Sequence, residues 1–216
     1  MRLNEIAGDI RDPKVLKGIL EYDCHDILQV YHIFNETHNG VKFFYRGYSR
    51  SRPQGYFRAT SPQGRPPRDT EDEIHDVLTN LLYDIGMQAS RDNSIFVTAN
   101  MKMAQTYARG EGEIYIVVPI DGFAYSWSPL IVDLYDFISH KSDDGRISYE
   151  ERLKMMDEEG LTRENIQWFK EKFQYTNKNL GRALGSSSEV MISGAYYAFS
   201  ASKFGNALSE IVKGNI

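Results

Sequence analysis

The sequence predicts a single α+β domain. Helical spacing of apolar residues fills the first 40 positions, and short strand-like runs begin at residue 41 with further helices between them. A polar stretch over 140–172 reads as a loop followed by two short helices. The 216 residues, 41% of them hydrophobic, can bury one substantial core, so 1–216 is taken as one domain.

Residues 12 to about 36 read as a helical section, with Asp12 as N-cap and Pro13 at the first helical position, where a missing N–H costs nothing. Val15, Leu16, Ile19, Leu20, Cys24, Ile27, Leu28 and Tyr31 repeat at helical spacing, which puts Cys24 on the core stripe. Asn39-Gly40 marks a turn. Val41 to Tyr48 is strand-like and carries Arg46 within an apolar run. An Arg there faces an anion, a carboxylate or a cleft, or else points to water from an edge strand. Residues 49–69 hold Arg50, Arg52, Arg58, Arg65 and Arg68 among so many Pro and Gly residues that no regular structure is expected. Such a loop binds a phosphate or an acidic partner, or is simply solvated. Thr70 to Ile85 is the clearest helix, with Thr70 and Glu73 at capping-box spacing, Gly86 as its stop, and His75 off the apolar face toward solvent.

Ser94 to Thr98 reads as a short strand, and about Asn100 to Ala108 as a helix. Glu113 to Ile120 is a near-continuous apolar run expected to be buried on both faces. Asp121-Gly122 turns the chain, and Leu130 to about Ile138 is a helix. The stretch 140–151 resembles a calcium-binding EF-hand loop in Gly145, Ile147 and Glu151. It has His140 and Ser142 where the first ligands belong, so a turn followed by a Ser148/Glu151 capping box explains it as well. Two short helices, 148–159 and 162–172, flank Gly160. Residues 174–188 are polar and Gly/Ser-rich, and 189–192 and 196–199 are closing strands joined at Ser193-Gly194.

A net charge of −5 speaks against binding nucleic acid through bulk electrostatics. The lone cysteine allows no internal disulfide and fits a reducing compartment. Met1 to Ile10 carries charges and no signal-like apolar core, and nothing approaches the roughly 18 apolar residues of a membrane span. A soluble, cytoplasmic protein with no membrane partner is expected. Zinc motifs, a Walker loop and GxSxG are all missing, so no metal is expected, and no carboxylate pair of glycosidase type stands out.

Attention falls on Ser186-Ser187-Ser188-Glu189-Val190-Met191-Ile192. A carboxylate opening a strand can hold negative charge against a developing cation; a solvated Glu that happens to begin a strand is the plain alternative. Two upstream segments form an ordered set with it: Arg46 in the first strand (FFYRGYSR) and Thr98 ending a middle strand (SIFVTAN).

This ordered set resembles the ADP-ribosyltransferases of the Arg–Ser–Glu class, which include the cholera and pertussis toxin catalytic subunits and the small transferases of tailed phages. Tyr45-Arg46 with Ser49-Arg50 and Pro53 is similar to the toxins' opening motif, and Phe96-Val97-Thr98 to the start of the Ser-Thr-Ser motif. Glu113 to Val118 sits where the family has a Tyr-Ile-Tyr-rich strand. Glu189-Val190-Met191-Ile192 resembles the catalytic segment of the phage enzymes. The likeness spans about 41–200 and leaves the helices of 1–40 and the 140–172 insertion uncovered.

The resemblance implies a split β-sandwich with a cleft for NAD, which is a substrate here. It implies that Glu189 stabilises the ribosyl cation formed when the nicotinamide bond breaks. Arg46, with Tyr45 and Gly47 beside it, would hold the dinucleotide, and Thr98 would orient Glu189 and shape the nicotinamide pocket. A host protein would be the acceptor, modified in the cytoplasm by a phage or effector enzyme, with Ser187, Tyr175 and Arg182 placed to meet it. Two positions depart from the family pattern. Thr98-Ala99-Asn100 keeps only the first hydroxyl, and Ser187 stands where arginine-modifying members carry Glu and several others Gln. That second departure leaves room for an NAD glycohydrolase, or for an inactive binding module that uses the basic 50–68 loop.

Overall fold

The computed structural model describes residues 9–67, 72–108, 112–134 and 163–216. The proposed EF-hand-like loop, most of the 140–172 insertion and the Thr70/Glu73 capping box lie outside the described residues.

Two helices open the chain, α1 (Pro13–Asp23) and α2 (His25–His38). Asp12 caps α1 by accepting from Lys14 N at 2.8 Å. The helical section expected here divides into two at Cys24, whose backbone N–H returns to Leu20 O. The Asp121 carboxylate accepts from the next two backbone amides, His25 and Asp26 (3.1 and 2.9 Å), and so supports the new N-terminus. Both helices keep the predicted stripe, and Leu16, Leu20, Cys24, Ile27 and Tyr31 are buried. Tyr31 reaches the sheet, its hydroxyl donating to Val117 O at 3.1 Å.

Next come β1 (Phe44–Tyr48), β2 (Tyr56–Thr60), α3 (Asp72–Asp84), β3 (Ile95–Thr98), α4 (Met101–Tyr107), β4 (Glu113–Pro119) and β5 (Ala124–Trp127). Then follow α5 (Arg163–Phe173), α6 (Leu180–Gly185), β6 (Glu189–Ser193), β7 (Ala195–Ser200) and α7 (Ala201–Val212). The expected α+β class holds. Five elements differ from the sequence reading. The Pro/Gly-rich stretch contains β2, which pairs along its length with β7 at the sheet edge, so its breakers flank a strand. The strand β5 and the helix α6 are additions, as is the terminal helix α7. Of the helix expected from residue 130, Ile131 to Asp133 are not helical.

All strand pairs are antiparallel, in the order β2-β7-β4-β1-β3-β6-β5. β1 and β4 pair over five residues, but β1 and β3 meet at one pair alone, Tyr45↔Thr98. The sheet is therefore four strands and three strands hinged on a single contact. The chain crosses between these blocks at Gly194, because β6 pairs with β3 and β5 while β7 pairs with β2 and β4. One residue turns that corner with φ +129, a value glycine adopts freely.

Two apolar clusters follow. One packs α1, α2 and α7 against the sheet, and the other packs α3 and α5 against Met191, with Phe96 at its margin. β4 is buried from Tyr115 to Pro119, as its continuous apolar run requires. Among the described residues, no helix is long and apolar enough to cross a membrane.

Candidate active site

The place where the sheet divides is where the three predicted residues meet. Thr98 closes β3 and pairs directly with Glu189, the first residue of β6. Side chains two apart share a strand face, so Phe96 and Thr98 on β3 lie on the same side as Met191 and Glu189 on β6. That side faces α3 and α5.

Thr98 is 5% exposed and bonded on both sides. Its hydroxyl accepts from Asn100 N (3.1 Å) and lies 3.3 Å from Ser187 O, to which it donates. Asn100 caps α4, accepting from Lys102 N and Met103 N, and its Nδ2 reaches Ser187 Oγ at 3.4 Å. Asn100 thus has a local use at the end of β3. Thr98 and Asn100 together tie the end of β3 to the loop that delivers Glu189. That loop is also held from the other side, with Ser186 Oγ donating to Ala183 O and accepting from Ser188 N. Ser187 itself is exposed, and the backbone of Glu189 is fixed by its N–H on Val132 O at 2.7 Å.

Arg46 lies on a central strand rather than an edge, which removes the solvent-pointing reading. Its Nη1 donates to Phe96 O at 2.7 Å, where the β1–β3 ladder has stopped, and its guanidinium lies 5.3 Å from the Tyr48 ring centroid. Arg46 Nε is buried without a hydrogen-bond partner. Two more cations gather on the same residue. Arg65 sits 4.7 Å and Arg91 5.5 Å from the centroid of the Phe96 ring. Arg65 comes from the basic loop, anchored by its N–H on Asp92 O at 2.7 Å. Arg91 comes from the tight turn before β3, where Ser90 N donates to Asn93 Oδ1.

These charges set the state of Glu189. Burial pushes its carboxyl up to about 7, and the nearby Asp133 adds to the rise. Arg91, Arg46 and Arg65 pull the other way. Glu189 is therefore a desolvated carboxyl near neutrality, facing cations from three separate segments. Tyr175 belongs here too. Its segment is clamped by the paired backbone bonds between Trp127 and Thr176 (3.0 and 2.9 Å), and its ring stacks on Phe169. Its hydroxyl is pushed above the usual tyrosine range by burial and then by Glu189, with Arg91 opposing.

Other predicted residues have different duties. Tyr45 is buried and packs edge-on against Phe43 in the core. A Cβ on Gly47 would lie 2.3 Å from Ala104 O and 2.5 Å from Ala108 N, so close packing of α4 on β1 accounts for that glycine. Arg182 is exposed on α6. His75, expected in solvent, is 4% exposed with neither ring nitrogen hydrogen-bonded; burial and then Arg91 lower its pKa. It lines a cleft of about 500 Å³ between the 64–67 loop and α3, which also includes Arg65, Thr79 and Asp92.

Sequence reasoning missed Arg91 and Asp133 entirely and saw Arg65 only as one of five loop arginines. Arg91 and Asp133 carry no local motif, since a tight turn and a post-strand loop bring them in. Among the described residues, no group of three or more His, Cys, Asp or Glu side chains is placed to hold a metal. No family model, curated protein or solved structure matches the chain.

Proposed function

We propose that this chain is an NAD-consuming mono-ADP-ribosyltransferase that modifies a protein in the cytoplasm of a host cell, on a fold of the Arg–Ser–Glu transferase type. The observation that carries the reading is the direct pairing of Thr98 with Glu189 at the split of the sheet, with Arg46 bound to the same short strand. Residues 46, 98 and 189 are far apart in sequence, and solvated surface residues have no reason to converge in this way.

The chemistry follows from the side chains. Breaking the nicotinamide–ribose bond leaves positive charge on the ribose while nicotinamide departs neutral. An ionised Glu189 in a desolvated setting stabilises that charge more than water does, because it is already oriented when the charge appears. Arg46, Arg65 and Arg91 supply guanidinium forks of the kind that suit a diphosphate. Thr98 and Asn100 hold the Glu189 loop.

A second reading, NAD glycohydrolase, is favoured by Ser187. An acceptor-positioning carboxylate or amide is replaced there by an exposed hydroxyl near Asn100. Incubation with NAD labelled in its adenylate half, in a cell lysate, separates the readings. Label on a protein band supports transfer, and free ADP-ribose alone supports hydrolysis. Neither product leaves an inactive binding module.

A further inference from the structure

The loop after β5 brings a second carboxylate to Glu189. Ser128 shapes this loop by accepting from Leu130 N and Ile131 N (3.1 and 3.2 Å) while donating to Phe173 O at 2.5 Å. Ile131 and Leu134 are buried in the α3/α5 cluster and pin its far end. Between them, Val132 O accepts the backbone N–H of Glu189 at 2.7 Å, which sets the neighbouring Asp133 beside the start of β6. The Asp133 side chain is held from a third element, since Tyr107 at the end of α4 donates its hydroxyl to Asp133 Oδ2 at 2.6 Å. Asp133 therefore has both backbone and side chain fixed, and like Glu189 it is partly exposed. Arg91 lies near enough to oppose the rise that Asp133 adds to the Glu189 carboxyl.

Two carboxyl groups in unlike surroundings divide acid–base roles readily. Glu189, with Arg91, Arg46 and Arg65 near it, is best used against a cation on the ribose. Asp133, accepting from the Tyr107 hydroxyl and partly open to solvent, is able to take a proton from an entering molecule. Nothing at Ser187 offers such a base.

We propose that Asp133 is the general base for the acceptor, which is a neutral O–H or N–H nucleophile, water included. This rests on the NAD-cleaving reading above. In the step, the bond between ribose C1′ and the nicotinamide nitrogen breaks and its electron pair leaves with nicotinamide. The acceptor oxygen or nitrogen forms the new bond to C1′, and its proton passes to the Asp133 carboxylate and then to solvent. The products are ADP-ribosyl acceptor, nicotinamide and one proton.

The test uses NAD with water as acceptor, and azide as a nucleophile that needs no base. Asp133→Asn is expected to lower kcat for nicotinamide release by about 10²-fold or more, with KM for NAD little changed. Added azide is expected to restore turnover and yield ADP-ribosyl azide. Glu189→Gln is expected to remain slow with azide, because its defect lies in stabilising the cation. Wild-type rates from Asp133→Asn would overturn the assignment while leaving NAD cleavage standing. A slow variant that azide fails to rescue would reduce Asp133 to a structural tether of its loop. No nicotinamide from the wild-type protein would remove the parent reading and this one with it.

Discussion

Replacing Glu189 with Gln should make the protein more stable at high pH while disabling it. The folded chain holds the Glu189 carboxyl near 7, against an ordinary value of 4.5. Below 4.5 the group is protonated in both folded and unfolded chains, and its contribution to stability is fully present. As pH rises from 4.5, the unfolded chain releases its proton first, so unfolding is favoured progressively until the folded carboxyl also ionises near 7. The loss over that window is about 3 kcal/mol, at 1.36 kcal/mol per pH unit. In a chain of this size it corresponds to roughly 6–12 °C of melting temperature. Gln cannot titrate. Thermal unfolding of both proteins, followed by circular dichroism at pH 4.5 and pH 8, should therefore give curves that separate by that amount on going to the higher pH, with the variant the more stable. If the two proteins show the same pH dependence, Glu189 is not desolvated and the electrostatic account of the site fails. A stability gain from removing the central carboxylate would mark a residue kept for chemistry rather than for folding.

Other consequences follow from packing and from the arginines. Gly47→Ala places a methyl against the backbone of α4, with contacts as short as 2.3 Å, and should destabilise by about 3 kcal/mol in a denaturant titration. Full stability of that variant would refute the close approach. Arg46→Lys removes the fork that spans Phe96 O and the Tyr48 ring, and should lower kcat/KM for NAD more than tenfold with little change in melting temperature. An unchanged kcat/KM would take Arg46 out of the site. Cys24 is fully buried, and burial followed by Asp23 and Asp121 pushes its thiol above the usual range. A thiol reagent should label it only as fast as the native protein opens, so rapid stoichiometric labelling of folded protein would contradict its core position.

Much of the scaffold was legible because local signals agreed with the final packing. The Asp12 cap, the stripe from Leu16 to Tyr31 and the run at 113–120 each carry a period that only one environment satisfies. The misses have physical causes. The strand β2 hides among breakers because an edge strand needs only one partner. His75 lies off the apolar stripe, yet the 64–67 loop covers it, which no helical period can foretell. In the site, Arg46, Thr98 and Glu189 were readable as an ordered set, since each sits at a recognisable point of a strand. Arg91 and Asp133 were not, because each reaches Glu189 through a turn whose course depends on contacts distant in sequence.

The most direct test of the central claim is nicotinamide release from NAD by purified protein, measured beside its Glu189→Gln variant. The account predicts steady release by the wild type and a fall of at least about 10²-fold in the variant, the scale of losing one preorganised electrostatic group. Equal release from the two proteins, or none from the wild type, would contradict it.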